Sequence, residues 1–524
     1  MARGPDASGA EAFAGAGDTS FELEPLSLSE VLKIALDENI DLRSRVVDIS
    51  ISETTILSAV GAYDVRFTAG VDASYQRNPA RGSQFALSTG SRSLGGQIGL
   101  QRKLETGGSL RLEVAATRSI AEQPISFIDP SAGSVDLASY RLAPALTLTH
   151  PLLRGLGIRV NRASVHRARL ATSQSEALEL DQAQLLVRDL VHAYWDVLFA
   201  KGDLANKRRS VELSRRQLDR TLVQVSAGRL APVDAKSVEQ RLATGESEVL
   251  VAEYALMDRS LTLRTLMGQK FADRVVLGVR PITDPTDVRP ELLDPTQLVK
   301  RALASNPQVR QLGFAIASRR VDELEAANNR LPQLDFSGSF SPVGRSVDSA
   351  PNDAAGVPGE RGSWAEAFGN FVSDDVQDNG LLADFTVSGS LSLTWDIQNR
   401  TADAGFERTQ LELEKAELNL ERVRQTTGTA VLRAVHSLRT AVKRMQVERL
   451  SVELAQQNLS AEQARFEVGR STNYDVLQRI DAISTAESGA LSAHIDYLKG
   501  LAQLQTLTGE ILPALGLDLA TYGR

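Results

Sequence analysis

The sequence predicts a mainly α-helical fold built from two long helical hairpins, together with a smaller set of β-strands suited to a membrane barrel. Three observations predict this fold class. Apolar residues recur every seven positions along two extended segments, these segments occupy corresponding places in an internal duplication, and period-two segments lie between the helical ones. Such patterns are typical of coiled-coil helices, repeated units and half-buried strands.

The clearest seven-residue spacing lies in the segment 399–467. Its apolar positions are Val431, Leu438, Met445, Val452, Leu459 and Phe466. This spacing indicates a coiled-coil seam rather than one face of a globular helix. No Pro occurs between Asn399 and Gly509, so the rising helix would extend ~100 Å at ~1.5 Å per residue. A helix of that length does not fit one compact domain.

The same seam occurs about 240 residues earlier, which indicates an internal duplication. Its apolar positions are Leu190, Val197, Leu204, Val211, Leu218 and Val225. Helical hairpins are therefore predicted at 160–268 and 399–509. The two seams hold more apolar surface than one chain is expected to bury, which predicts an obligate trimer. The predicted organisation is a flexible tail at 1–25, a first repeat at 26–271, a linker at 272–292, a second repeat at 293–511 and a tail at 512–524.

Each repeat is predicted to open with a shorter amphipathic helix, at 28–62 and at 294–330. Ser27 or Ser29 is available as the N-cap of the first. Together with the descending arm 233–268, the first helix is about as long as the unbroken arm 160–226. We therefore expect the two shorter helices to stack end to end beside the long one, and the same relation holds in the second repeat.

Between the opening helix and the hairpin of each repeat lie segments in which apolar and polar residues alternate. Four of them are predicted as strands, at 65–75, 140–149, 334–341 and 385–395. Alternation places one face in an apolar medium and the other in water. Lipid-facing barrel strands have this pattern, and so do the strands of a soluble β-sandwich. A further hairpin at 94–114, with a turn at Thr106-Gly107-Gly108, occurs only in the first repeat.

Composition excludes several classes of function. The formal charge of −8 disfavours a nucleic-acid partner, and the absence of Cys excludes disulfides and thiolate metal sites. The five His residues show no metal-ligand spacing, and no phosphate loop or Gly-x-Ser-x-Gly elbow occurs, so no enzyme activity and no cofactor are predicted. The first 20 residues as written contain no signal peptide, and no run of 18 apolar residues indicates a transmembrane helix.

Several motifs resemble the TolC family of outer-membrane efflux proteins, and the resemblance runs from Leu26 to Leu515. Ala35-Leu36 with Asn39, and Ala302-Leu303 with Asn306-Pro307, are similar to the opening helix of that family. The segment from His150 to Gly157 is similar to its passage from strand to helix. The two hairpin tips, at 228–234 and 469–475, are the most specific features.

The resemblance implies a homotrimer whose strands close one barrel in outer-membrane lipid, above a periplasmic tunnel of twelve helices. Such a trimer is the passive exit duct of a tripartite efflux or type I secretion system. It docks through its tips to a periplasmic adaptor protein, and an inner-membrane transporter supplies the energy. Family members have four strands per chain, and the hairpin at 94–114 predicts six here. A non-transporting coiled-coil envelope scaffold is the alternative, but it leaves the strands without a use.

The predicted site residues lie at the two tips. Adaptor-docking positions are Gly228, Arg229, Leu230, Val233, Gly469, Arg470, Ser471 and Asn473, with Gly228 and Gly469 expected in the left-handed position that ends a helix. The resemblance places a channel constriction just past the second tip, where Asp475 matches the first of two acidic positions and Gln478 stands at the second; Asp234 is its counterpart in the first tip.

Two roles fit Asp475. Three copies would form a negative ring that favours cations, because rings of charged side chains set the selectivity of pores. Alternatively, Asp475 stands three residues after Thr472, where a carboxylate caps the helix that begins there. For Asp234, which follows Pro232 at the predicted first helical position, capping is the favoured role.

Overall fold

The structure is a computed structural model that describes residues 23–77, 90–124, 134–268, 278–283, 294–349, 359–372 and 384–519. The chain divides into two compact units. One comprises Met1–Ile51, Thr172–Phe314 and Glu417–Arg524, and the other comprises Ser52–Ala171 and Ala315–Ala416. Each unit therefore takes segments from both sequence repeats.

The predicted fold class, long duplicated helical hairpins with a separate β portion, is confirmed. In chain order the elements are β1 (Leu23–Leu26), α1 (Leu28–Glu38), α2 (Ile40–Val60), a 3₁₀ turn (Gly61–Tyr63), β2 (Arg66–Arg77), β3 (Gly90–Lys103), β4 (Ser109–Pro124), β5 (Ser134–Pro151), α3 (Ile158–Asn161), α4 (Ala163–Ser226), α5 (Pro232–Leu266), β6 (Gly278–Pro281), α6 (Pro295–Ser305), α7 (Pro307–Asn329), β7 (Gln333–Pro342), β8 (Gly344–Val347), α8 (Trp364–Val372), β9 (Phe385–Thr394), α9 (Arg400–Glu467), α10 (Asn473–Leu507) and α11 (Ile511–Ala514).

The opening helix at 28–62 is broken, contrary to the prediction of one continuous helix. Ser27 caps α1 and forms a reciprocal capping box with Glu30. Asn39 then takes an extended conformation, and its side-chain oxygen accepts a hydrogen bond from Leu42 N at 3.0 Å, which caps α2. Its amide nitrogen donates to Leu266 O at 2.9 Å. Asn39 thus starts α2 where α5 ends.

The second repeat is broken at the equivalent residue, so the predicted helix at 294–330 is also two helices. Asn306 has the same extended conformation, caps α7 through Gln308 N at 2.9 Å, and donates to Leu507 O at 3.4 Å. Pro307 follows it and cannot donate a backbone hydrogen bond. One Asn therefore performs the same two tasks in each repeat, which explains its place in the opening-helix motif.

The heptad seams are mostly buried within the single chain, which corrects the reason given for a trimer. Leu190, Val197, Val431 and Leu438 are all almost fully buried. Large apolar side chains remain exposed elsewhere on the same hairpins: Leu250, Val251 and Tyr254 on α5, and Val447, Leu450 and Leu454 on α9. The surface available to a second copy lies at these positions rather than along the predicted seams.

Tyr194 connects part of the predicted N-terminal tail to part of the predicted linker. The strands β1 and β6 pair in parallel, and the fully buried Tyr194 hydroxyl donates to Leu26 O at 3.1 Å while accepting from Ile282 N at 3.2 Å. Residues 23–25 and 278–281 are thus strand rather than tail and linker, and α11 begins the predicted C-terminal tail. The remaining parts, at 1–22, 272–277, 284–292 and 520–524, lie outside the described residues.

The second unit contains one antiparallel sheet. Its strand order is β2-β3-β4-β5-β7-β9, and β8 pairs with the outer part of β5. The hairpin predicted at 94–114 is therefore part of the same sheet as the other four segments. It is also longer than predicted, because β3 and β4 pair continuously from Gly90 to Lys103 and from Ser109 to Glu122. Gly107 forms its turn with a φ of 107°.

Candidate functional site: a two-faced sheet and two helical tips

One row of paired residues crosses the six strands β2-β3-β4-β5-β7-β9 of the sheet and is wholly apolar. It consists of Phe67, Leu100, Leu112, Leu146, Phe340 and Val387, each directly opposite the next. Directly paired residues point to the same face of a sheet. Phe67 is 65% exposed and Val387 is 68% exposed. A continuous apolar row with this exposure marks an interaction surface rather than an ordinary water-facing one.

The neighbouring row is wholly polar. It consists of Arg66, Gln101, Arg111, Thr147, Ser339 and Ser388. Because adjacent residues in a strand point to opposite faces, this row lies on the other side of the sheet. Hydrogen bonds between hydroxyls run along that side, as between Ser339 and Ser388 at 2.7 Å. The sheet therefore has one apolar face and one polar face.

The two outermost strands pair on one side only within the described part of the chain. They are β2 and β9. An unpaired strand edge carries free N–H and C=O groups that require another strand, a covering element or water. Phe67, Val71 and Tyr75 on β2, and Leu391 and Leu393 on β9, leave these edges strongly apolar. Both edges are thus suited to pairing with another copy.

At the helical tips, the two glycines have the conformation expected of them. Gly228 and Gly469 have φ values of 71° and 76°, in the left-handed region that favours glycine. Gly469 N donates to Phe466 O at 3.0 Å and Arg470 N donates to Arg465 O at 2.9 Å, which closes the end of α9. Both rising helices therefore end in the same kind of turn, with Arg229 and Arg470 exposed beyond it.

The capping role of Asp475 is visible directly. Its carboxylate accepts hydrogen bonds from Thr472 N at 3.1 Å and Thr472 Oγ1 at 2.6 Å, and Thr472 Oγ1 in turn accepts from Asp475 N at 3.3 Å. These bonds to Thr472 lower the pKa of Asp475, since they favour its charged form. Asp234 caps α5 more simply by accepting from Ala231 N at 3.1 Å, with Pro232 at the first helical position.

Asn473 differs from the other predicted docking residues because it is buried. Gln217 Nε2 and Thr221 Oγ1 each donate to Asn473 Oδ1 at 2.8 Å, and both partners are also buried. Asn473 therefore fixes the start of α10 against α4 and offers no side chain to a partner. Leu230 is also half-buried, against the cluster formed by Val238 and Phe466. Ser471 is half-buried, whereas Gln478 is exposed.

Three exposed apolar residues stand out at the tips: Val233, Val468 and Tyr474, which are 70%, 70% and 72% exposed. Val468 and Tyr474 were not among the docking residues predicted from the sequence. Val468 directly precedes the turn glycine Gly469, and Tyr474 is the second residue of α10, so an apolar residue within or next to the tip was the signal that could have identified them. Together with Arg229 and Arg470 they give the tips a mixed apolar and basic surface.

No group of three or more His, Asp or Glu side chains in the described ranges is placed to hold a metal ion. Over the same ranges, no helix combines the length and apolar character needed to cross a membrane.

Comparison with known proteins gives one consistent result. Residues 298–510 match the family model described as outer membrane efflux protein. The chain is 22% identical over 345 residues to the outer membrane protein TolC of Vibrio cholerae, covering 66% of this chain and 71% of that one. It is 22% identical over 351 residues to TolC of Escherichia coli, covering 67% and 66%.

Solved structures show the same fold. The outer-membrane channel OprN superposes with a TM-score of 0.63 at 16% identity, covering 92% of this chain and 90% of that one. The open state of the Neisseria gonorrhoeae MtrE outer membrane channel superposes with a TM-score of 0.60 at 16% identity, covering 94% and 93%.

Proposed function

We propose that this chain, which matches the outer membrane efflux protein family over residues 298–510 and resembles TolC over about two thirds of its length, forms the outer-membrane exit duct of an efflux or type I secretion machine. The observation that carries the proposal is the pair of adjacent rows across the sheet, one wholly apolar and one wholly polar. A sheet with lipid on one face and an aqueous lumen on the other requires this arrangement. A coiled-coil scaffold without a channel does not.

The duct is a homotrimer in which β9 of each chain pairs with β2 of the next. The two free edges support this closure, since a sheet in lipid must satisfy every backbone hydrogen bond. Three chains with six strands each give a barrel of about eighteen strands, a size that leaves an aqueous channel. The exposed apolar residues of α5 and α9, such as Tyr254 and Val447, are then buried between chains of the periplasmic tunnel.

The experiment is a disulfide cross-linking scan of this closure. The native chain has no Cys, so engineered pairs are the only thiols. A Cys at Val71 of β2 is combined in turn with a Cys at Val387, Gly389 or Leu391 of β9. At one register we expect covalent trimers on a non-reducing gel, from a protein whose mass in detergent is that of three copies.

The control pairs a Cys at Ile98, in the interior strand β3, with the same β9 positions. Because β3 has neighbours on both sides, this pair should give no covalent oligomer. A monodisperse monomer that is soluble without detergent would overturn the proposal. So would cross-linking from Ile98 that equals cross-linking from Val71.

The tips dock to a periplasmic adaptor protein, and an inner-membrane transporter provides the energy for export. The exposed surface of the tips supports this, because protein interfaces are commonly enriched in aromatic residues and Arg. That surface consists of Val233, Val468 and Tyr474 together with Arg229 and Arg470.

The turn at Gly469 provides the test of docking. Substitution Gly469→Val forces a β-branched residue into the left-handed region and redirects the turn. Export should be lost while trimers persist, whereas Gly469→Asn, which tolerates that region, should retain export. Normal export by Gly469→Val would exclude the tips from docking.

A further inference from the structure

The helix α8 lies on the apolar face of the sheet. An ideal Cβ added at Gly344 of β8 would meet Ala367 O at 2.0 Å, so the helix covers the side toward which residue 344 points. Gly344 pairs directly with Leu142, and Leu142 shares a face with Leu146 of the apolar row, four positions along β5. The absence of a side chain at Gly344 is what lets the helix approach so closely.

Hydrogen bonds fix one side of α8 against β8. Ser346 Oγ donates to Glu366 Oε2 at 2.8 Å and accepts from Ser363 N at 3.0 Å. Asn370 Nδ2 donates to Arg345 O at 2.9 Å. The polar side chains of α8 therefore find their hydrogen-bond partners in the sheet. These hydrogen bonds fix the rotation of the helix about its own axis.

The other side of α8 is apolar and exposed. Trp364, Phe368 and Val372 recur every four residues, so they form one stripe along the helix. They are 42%, 57% and 54% exposed. Trp364 is held in place by an edge-on contact with the Tyr140 ring, at 5.2 Å between centroids. This stripe is held in one orientation beside the face of the sheet that is proposed to contact lipid. It is therefore suited to contact a membrane.

The position of α8 along the sheet matches a bilayer interface. Leu152 N bonds Leu334 O at the helix-side end of the sheet, and Tyr140 lies about 12 residues from that point, or ~40 Å at ~3.3 Å per residue. A strand tilt of about 40° reduces this to ~30 Å across the membrane, the thickness of a hydrocarbon core. The exposed Trp395 directly follows β9 at the helix-side end. Trp residues thus mark both ends of the apolar face, as they do at both interfaces of membrane proteins.

We propose that α8 is an interfacial anchor whose Trp364, Phe368 and Val372 insert among the acyl chains of the outer leaflet around the barrel. The occupant of this face is lipid because the stripe continues the apolar face of the sheet, which contacts lipid in the duct. The inference therefore rests on the proposed function. The anchor fixes the outer rim of the barrel at one depth in the membrane.

The test uses Trp fluorescence, since the chain has only three Trp residues. Trp195→Phe with Trp395→Phe leaves Trp364 as the reporter, and Trp195→Phe with Trp364→Phe leaves Trp395. Each trimer is reconstituted into phosphatidylcholine vesicles whose acyl chains carry bromine either near the headgroup or near the chain end. We expect bromines near the headgroup to reduce the fluorescence of Trp364 by about twofold and bromines near the chain end to reduce it less. Acrylamide, which stays in water, should have little effect.

A matched pair of variants tests the stripe itself. Phe368→Ser removes an apolar side chain from the lipid-facing side and should sharply reduce the quenching of Trp364 by bromine. Phe368→Leu keeps an apolar side chain at the same position and should leave the quenching intact. Both are read in the protein that retains only Trp364.

The outcomes separate the two proposals. Quenching of Trp395 by bromine without quenching of Trp364 retains the duct and overturns the anchor. Quenching of Trp364 by acrylamide alone places α8 in water and overturns it too. If neither bromine nor acrylamide quenches Trp364, protein covers the stripe, either a neighbouring chain or another part of this one, and the anchor is overturned. Absence of bromine quenching at both Trp residues overturns membrane insertion itself, and the anchor with it.

Discussion

Arg241 of α5 and Asp481 of α10 form a forked ion pair that joins the two helical hairpins within one compact unit. Arg241 Nε lies 3.0 Å from one carboxylate oxygen of Asp481 and 3.3 Å from the other, and the guanidinium Nη2 also contacts the carboxylate. Glu248 extends the network to Lys207 of α4 at 3.0 Å. The hydrogen bond to Asp481 is the main reason that the pKa of Arg241 is raised. This pair lies roughly 13 Å along each descending helix from its tip.

Breaking this pair should loosen the second hairpin from the first. Asp481→Asn keeps the size of the side chain but removes its charge, and the double-mutant coupling energy with Arg241→Ala should be about 1 kcal/mol or less, because the Asp481 side chain is 46% exposed. Bilayer recordings of the trimer should show larger conductance. As a control, Glu246→Gln breaks the pair with Arg215 at 3.1 Å, which lies inside the first hairpin, and should leave conductance unchanged. Equal effects of the two variants would contradict a role between hairpins.

The buried Asn473 should be important for stability rather than for docking. Asn473→Ala leaves Gln217 Nε2 without its partner inside the packed tips, which should cost about 1–3 kcal/mol. Asn473→Ser should recover only part of this loss, since a shorter side chain does not reach both donors. The measurement is thermal unfolding of the detergent-solubilised protein. A mutation that left stability intact and abolished only adaptor binding would instead assign Asn473 to the docking surface.

The sequence was sufficient for features that depend on local chemistry. The spacing of Thr472 and Asp475 gave the helix cap as one of two roles for Asp475, Gly228 and Gly469 predicted left-handed turns, and alternation predicted the strands. These features need only a few consecutive residues. The break at Asn39 was missed because its cause lies partly in a distant carbonyl, that of Leu266, which no local pattern specifies.

Relationships between helices could not be predicted in the same way. The burial of Asn473 and the pairing of Arg241 with Asp481 depend on how four helices align, and a one-turn shift would bring different residues together. The seams were identified correctly, but whether they pack within one chain or between chains depends on which helix lies opposite each stripe. Heptad spacing carries no information on that choice.

Stability should fall as the pH decreases below neutrality because of His192. Burial is the main cause of its lowered pKa, and the nearby positive charges of Lys499 and Arg188 act in the same direction. The unfolded chain therefore takes up a proton at this residue before the folded chain does. The contribution of His192 to stability is complete above its ordinary pKa of about 6.5 and is lost as the pH falls below that value.

His192→Gln should flatten this pH dependence, because an amide does not titrate in this range. The amide can still donate a hydrogen bond to Lys499 O, which lies 3.1 Å from His192 Nε2, so the fold should be retained. Thermal unfolding of both proteins between neutral and mildly acidic pH measures the effect. His436→Gln, at an exposed position on α9, is the matched control and should follow the unsubstituted protein. Parallel pH curves for the His192 variant and the unsubstituted protein would assign the acid sensitivity to other groups.

The last prediction concerns whether Asp475 is a cap only or also part of the channel constriction. Its contacts with Thr472 use the Oδ2 atom, and the residue remains partly exposed, so the carboxylate can cap α10 and still present negative charge. In a trimer three such charges meet near the tips, where they strengthen one another's effect on passing ions.

Asp475→Asn keeps an oxygen for the cap and removes the charge. We expect single-channel recordings to show a weaker preference for cations and less block by divalent cations, with little change in thermal stability. Asp234→Asn makes the same change at the first tip, where capping alone is expected, and should leave selectivity unaltered. Conversely, Gln478→Asp adds a charge at an exposed position three residues further along α10, slightly less than one helical turn from Asp475. This variant should increase the preference for cations. If Asp475→Asn and Gln478→Asp both leave selectivity unchanged, Asp475 is a helix cap and the constriction lies elsewhere.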